Sequence, residues 1–279
     1  MNILEVKGLN KKQGKFSLKD VSFELPMGYI MGFIGKNGAG KTTTINCILN
    51  LLPFESGEVH ILGEKFTGDE VHLKEALGVV FDEINFYEFF TVENYGKTLG
   101  AFYKEWDEKL FMSYLKKFEI DGSKKISKLS KGMKMKAQIA FALSRGARLL
   151  IMDEPTSGLD PVARRELMEI FQDYIADGTK SILFSTHITS DIEGIADYIT
   201  FIKDGQIVFA QEREQLNEDY ILVKGGLDDL NQLKDVQFDG IRKNKFGFSA
   251  IVKRDKIGKN EKFSYEKITI EDFMYHICG

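Results

Sequence analysis

The sequence predicts an α/β fold on a mainly parallel sheet, carrying a helical subdomain and followed by a small α+β lobe. Three observations predict it. Strand-like apolar runs alternate with helical segments over most of the chain. A glycine-rich turn over residues 35–42 stands between one such strand and a helix. The apolar run Leu149-Leu150-Ile151-Met152 ends in two carboxylates, Asp153 and Glu154, and ligand sites in open α/β sheets lie at the carboxyl ends of strands.

In chain order, Ile3–Val6, Val21–Leu25 and Tyr29–Ile34 read as strands, and a helix follows the glycine turn from about Gly40 to Leu51. Val59–Leu62 and Leu77–Phe81 read as short strands. From Thr91 to Arg145 the pattern is helical: Leu99, Phe102 and Tyr103 recur at helical spacing, as do Leu110, Tyr114, Leu115 and Phe118. The segment of about 84–146 is therefore expected as a helical subdomain on the sheet. Strands return at Leu149–Met152, Ser181–Phe184 and Tyr198–Ile202. After Gln215 the character changes. Tyr220–Val223, Gln237–Phe238, Phe246–Val252 and Ile268–Ile270 read as short strands, with helical segments near 226–233 and 271–277. Residues 1–218 are expected as one domain and 219–279 as a small α+β accessory domain.

Composition sets the outer limits. The 279 residues allow a sizeable core without disulfides, and 43% apolar with 29% charged residues is ordinary for a globular protein. A net charge of −4 gives no bulk electrostatic case for nucleic acid as a partner. The two cysteines, Cys47 and Cys278, stand far apart with no zinc-type spacing, which predicts a reducing compartment. Cys47 lies in an apolar helical run and reads as a buried small hydrophobe. The N-terminus lacks the apolar core of a signal peptide. No stretch of about 18 apolar residues predicts a membrane span, so a transport role requires another polypeptide. No repeat or low-complexity tract is evident.

The glycine turn carries the first chemistry. Gly35-Lys36-Asn37-Gly38-Ala39-Gly40-Lys41-Thr42 is a full Walker A match in its strand–turn–helix context. Glycines let the backbone form a nest whose N–H groups face phosphate oxygens, and the helix N-terminus adds its dipole. Gly35, Asn37, Gly38, Ala39, Gly40, Lys41, Thr42 and Thr43 are the expected nucleotide contacts. Lys41 is expected to reach the β- and γ-phosphates, and the Thr42 hydroxyl to coordinate Mg²⁺. Asp153 is placed to support the Mg²⁺ shell, and Glu154 to polarise the water that attacks the γ-phosphate. ATP and Mg²⁺ are the implied cofactors.

Three further segments resemble the ABC ATPase family of P-loop NTPases. Leu129-Ser130-Lys131-Gly132-Met133 is similar to the ABC signature, departing from it at Lys131 and Met133 while keeping Ser130 and Gly132. Ser157-Gly158-Leu159-Asp160 resembles the D-loop, with Pro161 suited to the first turn of the next helix. Thr186-His187 resembles the switch histidine. The resemblance implies that two copies meet head to tail. Each site then uses Walker A, Asp153, Glu154 and His187 from one copy and the Ser130–Gly132 segment from the other, with Asp160 at the shared interface. A Ser hydroxyl at a helix N-terminus is itself a fair anion site. Where family members carry a Gln after the strand Leu77–Phe81, this chain has Asp82. Asp82 is read as its catalytic and Mg²⁺-binding equivalent, with Glu83 as a second candidate. Gln13 falls where the family stacks an aromatic on adenine. Phe16, three residues on, is the stacking candidate, and plain packing is its alternative.

The resemblance covers about residues 2–215 and extends to partners. The aromatic segment Ile84-Asn85-Phe86-Tyr87-Glu88-Phe89-Phe90 follows Asp82, where the family receives a membrane permease. Phe86, Tyr87 and Phe89 are the candidate contacts. The style is closest to bacterial ATPases with a separate permease, in a subgroup linked to export of antimicrobial or toxic peptides and related amphipathic molecules. The implied location is cytoplasmic, on the inner face of the membrane through the permease. The second copy is the same chain or a paralogue, and no nucleic acid partner is expected. The rival classes are a soluble ABC ATPase acting on DNA or ribosomes, which the single cassette and the lack of coiled coil, zinc spacing or basic stripe disfavour, and a sensing or resistance module.

Overall fold

The computed structural model describes residues 1–82, 87–233, 240–258 and 262–277. Glu83, Phe86, Cys278 and the expected strand Gln237–Phe238 lie outside the described residues. The chain begins with β1 (Asn2–Gln13), β2 (Phe16–Pro26), β3 (Ile30–Ile34) and α1 (Lys41–Ile48). It continues with β4 (Ser56–Ile61), β5 (Glu64–Lys65), α2 (Val71–Ala76) and β6 (Leu77–Val80). Then follow α3 (Val92–Gly100), α4 (Glu108–Lys117), α5 (Lys131–Leu143), β7 (Leu149–Asp153), α6 (Pro161–Ile175) and β8 (Ser181–Thr186). The last part holds α7 (Ser190–Glu193), β9 (Tyr198–Lys203), β10 (Gln206–Glu212), α8 (Arg213–Asp219), β11 (Tyr220–Gly225), β12 (Gly240–Asn244), β13 (Gly247–Lys253), β14 (Ser264–Glu266) and α9 (Ile270–Ile277).

These strands form three sheets rather than one. The six-stranded sheet has the order β10-β9-β3-β8-β7-β6 and is parallel except at β10. Every residue of β3, β7 and β8 is buried, as expected of parallel strands covered on both faces. Their side chains divide by the strand period of two. Met31, Phe33, Leu149, Ile151 and Leu183 enter a core shared with α1 and the first strands. Ile30, Ile34, Leu150, Met152, Ile182 and Phe184 enter a second core shared with the helices.

The first strands do not join that sheet. β1 and β2 pair antiparallel and continue with β4 and β5 in the order β2-β1-β4-β5. The reason is local: Gln13 and Phe16 face each other across a turn holding Gly14 at φ 61°, and so short a link permits only an antiparallel neighbour.

In the segment 87–146 three helices each start on a side-chain cap. Thr91, Asp107 and Ser130 accept from the N–H of Asn94, Leu110 and Met133. Trp106 packs between Phe111 and Phe141, with ring centroids 5.2 and 5.0 Å away.

The last strands form a third, antiparallel sheet in the order β12-β13-β11-β14. The expected strand Ile268–Ile270 is a misreading: β14 lies earlier, and Ile270 opens α9. Thr269 and Asp272 exchange hydrogen bonds there, and such a reciprocal cap starts a helix whatever the β propensity of the isoleucines. α9 docks through Phe273, whose ring lies 4.6 Å from Phe201, 5.6 Å from Phe209 and 5.4 Å from Tyr220. Val223, Phe248, Ala250, Val252 and Phe263 make a separate small core on this sheet.

Candidate functional site

Four neighbouring parallel strands, β3, β8, β7 and β6, end at one edge of the six-stranded sheet. Ile34 pairs with Thr186, Asp153 with Ser185, and Val80 with Met152. The register therefore delivers residues 35–42, His187, Asp153 with Glu154, and Asp82 to the same edge. A cleft of about 560 Å³ opens there, lined by Gln13, Phe16, the loop residues Asn37, Gly38 and Gly40 to Thr43, and the carboxylates of Asp82, Asp153 and Glu154. A larger cleft of about 940 Å³ lies at Lys104–Met112 on the helical segment. It gathers none of the predicted site residues, and the chemistry belongs to the smaller cleft.

The loop is shaped to receive an anion. Gly38 holds φ 82°, and a Cβ built on it would meet no atom within 4 Å. The backbone there is open to a ligand at close range. Gly40 holds φ 117°, and a Cβ on it would meet the rings and methyls of Phe16 and Leu18 at 2.8 Å. The loop is pinned from behind by Gly205, whose N–H donates to the Ala39 carbonyl at 2.9 Å.

The charged groups form one connected network. The Lys41 ammonium is buried, donates to the Gly35 carbonyl at 2.8 Å and lies 3.2 Å from Glu154 Oε1. His187 Nδ1 is 2.8 Å from Glu154 Oε2. An ionised carboxylate only accepts, so Nδ1 carries the proton of this bond. The Thr42 hydroxyl donates to Asp153 Oδ2 at 2.6 Å, and the Ser185 hydroxyl donates to Asp153 Oδ1. The Glu154 N–H is held by the Ser185 carbonyl and hydroxyl at 3.1 and 3.2 Å. Glu154 sits at φ 51°, a left-handed conformation that side-chain-bearing residues adopt at a cost and often at working sites.

This donor set suits a magnesium ion accompanied by phosphate. Mg²⁺ takes hard oxygen ligands, usually one or two carboxylates completed by phosphate and water. A hydroxyl and a carboxylate stand together beside the anion-binding loop. Among the described residues, no group of three or more His, Cys, Asp or Glu side chains forms a ready-made cage. The arrangement can bind a polyphosphate on backbone N–H groups and Lys41, and present Glu154 to a water at its far end.

Ser130, Gly132 and Asp160 are not on this cleft. Ser130 is exposed and caps α5, and Asp160 caps α6 by accepting from the Val162 and Ala163 N–H groups, both at 3.0 Å. Those bonds hold the Asp160 carboxyl below its usual range. A Cβ on Gly132 would come within 2.9 Å of the Gly158 carbonyl, so the start of α5 abuts the Ser157–Asp160 loop. Asp82 lines the cleft yet is ion-paired to Lys131 at 2.8 Å. Tyr87 and Phe89 are exposed and cluster with Phe90. His60 and His72 lie away from the cleft, and His276 is a buried packing residue bonded to Ser249 and the Asp272 carbonyl.

Ser185 and Gln138 are the residues that sequence reasoning missed. The Gln138 side chain accepts from the Phe81 N–H at 2.6 Å and donates to the Phe81 carbonyl at 3.3 Å, fixing the backbone just before Asp82. Neither residue stands in a recognisable motif.

Comparison with known proteins shows the family. The family model described as ABC transporter matches residues 18–157. The chain is 34% identical to the bacitracin transport ATP-binding protein BcrA of Bacillus licheniformis, over 74% of this chain and 68% of that protein. It is 31% identical to the lantibiotic transport ATP-binding protein SrtF of Streptococcus pyogenes, over 75% of this chain and 91% of that protein. A solved ATP-binding subunit of an ABC transporter superposes with a TM-score of 0.70 at 30% identity, covering 77% of this chain and 92% of that one.

Proposed function

This chain belongs to the ABC transporter family as an ATP-binding, ATP-hydrolysing subunit, and from that premise we propose that it drives a separate membrane permease exporting amphipathic peptides or other antimicrobial compounds. The substrate class rests on the names of its relatives, two of which are a bacitracin and a lantibiotic transport subunit. No described helix is long and apolar enough to cross a membrane, so the path for substrate is assigned to the partner. The chain is then peripheral, on the cytoplasmic face. Tyr87 and Phe89, with Phe86 beside them in sequence, are the proposed permease contacts. Residues 1–218 form the nucleotide-binding domain, with residues about 84–146 as its helical subdomain. Residues 219–279 form the accessory lobe.

The observation that carries the catalytic reading is the shared sheet edge. It places Lys41, Thr42, Asp153, Glu154 and His187 in one hydrogen-bonded network. In our reading, the loop N–H groups and Lys41 bind and orient the phosphates. Thr42 and Asp153, with Asp82 at the rim, would hold Mg²⁺, and the ion would supply charge neutralisation to the bound phosphates. Glu154 orients the attacking water and takes its proton, and His187 fixes that carboxylate. Such phosphoryl transfer is largely positioning and charge stabilisation. Ser130, Gly132 and Asp160, which lie off the cleft, serve the second site of a head-to-tail pair, formed with another copy or a paralogue. Phe16 stacks on the adenine.

Two measurements test this. Glu154→Gln keeps the shape of the side chain and removes the base, so ATP binding persists while turnover falls by about 10²-fold or more. Turnover at the unmutated rate would refute the assignment of Glu154. Purified from detergent-solubilised cells of its source, the chain brings down a multi-span membrane protein in stoichiometric amount. Ribosomal or DNA-repair factors in its place would leave the ATPase chemistry standing and overturn the transport role.

A further inference from the structure

Two residues that face the cleft edge from α5 point to a device particular to this chain. Lys131 opens α5, and its ammonium lies 2.8 Å from Asp82 Oδ1 and 3.2 Å from the Ser157 hydroxyl. Seven residues further along the helix, Gln138 grips both backbone groups of Phe81. Positions seven apart lie on one face of a helix. α5 therefore holds the segment 81–82 at two points, one on the backbone and one on the carboxylate. The two points differ in kind. The amide grip on Phe81 is half-buried, and nothing in the cleft chemistry competes with it. The ion pair is solvent-accessible and ends on a carboxylate that also lines the cleft with Asp153 and Glu154.

We propose that Lys131 is a positioning residue for Asp82, holding this carboxylate at the rim of the cleft and competing with the divalent cation for it. Asp82 carries one negative charge, and the two cations contend for the same oxygens. Loading the cleft with metal and nucleotide thus loosens the grip of α5 on residue 82, while Gln138 keeps the backbone in place. By linkage, whatever holds Lys131 elsewhere tightens metal-dependent nucleotide binding. Ser157 gives the released ammonium a neighbour already within reach. The inference rests on the reading of Asp82 as a metal-facing residue.

The test is a Mg²⁺ titration of binding by a fluorescent, non-hydrolysable ATP analogue to the full chain. It compares the unmutated protein with Lys131→Gln, Lys131→Arg, Asp82→Asn and the Lys131→Gln/Asp82→Asn double variant. An exposed ion pair is a weak competitor, so Lys131→Gln lowers the Mg²⁺ concentration at half-binding by about two- to five-fold. Lys131→Arg, which keeps the charge, stays close to the unmutated value. Asp82→Asn raises the half-point, and adding Lys131→Gln to it changes nothing further. If Asp82→Asn raises the half-point but Lys131→Gln leaves it unmoved, Asp82 keeps its role and the competition is refuted. An equal Lys131→Gln effect with and without Asp82 shows Lys131 acting on the nucleotide directly, which also refutes it. If Asp82→Asn itself has no effect, the reading of Asp82 fails and this inference falls with it.

Discussion

His187 donates from Nδ1 to one oxygen of Glu154 at 2.8 Å while the buried Lys41 ammonium faces the other oxygen at 3.2 Å. The carboxylate is thus clamped between the Lys41 ammonium and the His187 ring, one on the phosphate loop and one just past the neighbouring strand β8. Clamping fixes its rotamer, and fixed geometry is what a water-orienting group contributes. His187→Ala removes one jaw and leaves Lys41 and the loop untouched. ATP affinity is expected to stay within about three-fold, while kcat falls by roughly 10²-fold. Steady-state kinetics beside a direct binding measurement separate the two. A raised KM at unchanged kcat would make His187 a binding residue.

How far the sequence carried depends on whether a role is local. Residues 35–42 announce themselves because strand, nest and helix are consecutive, and Asp153 and Glu154 because they close an apolar run. Ser185 is different. Its hold on both carboxylate residues arises from the pairing of β7 with β8, and no spacing in the chain encodes strand order. Asp82 stood out as a departure from the family pattern, and so did Lys131. That the two departures pair, 49 residues apart, is a tertiary fact. The misread strand Ile268–Ile270 shows the converse: three residues of β-forming type carry less information than the Thr269–Asp272 cap.

Phe16 offers a test of base recognition. Its ring lies against Gly40 on the wall of the cleft, where it serves packing and faces the ligand at once. Stacking on an aromatic face is worth about 0.5–1.5 kcal/mol, roughly two- to ten-fold in affinity. Phe16→Ala is expected to raise KM for ATP by that factor at nearly constant kcat, and Phe16→Tyr to restore it. If tripolyphosphate, which has no base, loses affinity by the same factor as ATP, the ring is holding the loop and not stacking on the base.

Cys47 is fully buried on the inner face of α1, and burial pushes its thiol up to about 11. The neutral form is the one the fold favours. The stability Cys47 contributes is complete below the ordinary thiol value of 9.0 and is lost as pH rises through about 11. At pH 8 only about a thousandth of the group is thiolate, and the thiolate is the reactive species. With Cys278→Ser in place, iodoacetamide is expected to label the native chain orders of magnitude more slowly than the chain in denaturant. Comparable rates would mean that α1 opens readily.

Phe273 joins the C-terminal antiparallel sheet and its helix α9 to the six-stranded sheet. Its ring is almost wholly buried and belongs to the same core as Phe201 and Phe209, while the far side of its sheet has a small core of its own. Truncating a buried Phe to Ala costs about 3–5 kcal/mol. Here that loss falls on the joint between the two parts, where α9 is also held by the Ile270 N–H donating to Glu193 at 3.3 Å and by Lys203 donating to the Ile277 carbonyl at 2.6 Å. The chain has a single tryptophan, Trp106, and its ring packs among the helices of the 87–146 segment. Its fluorescence therefore reports on the body, whereas far-ultraviolet circular dichroism reports on both parts. In the unmutated protein the two signals are expected to change together along a urea titration. In Phe273→Ala the dichroism is expected to fall first, with the fluorescence transition following at higher urea. Coincident transitions at an unchanged midpoint would show that Phe273 contributes nothing to the joint, which would then rest on the other residues of the shared core, such as Leu222 and Ile251.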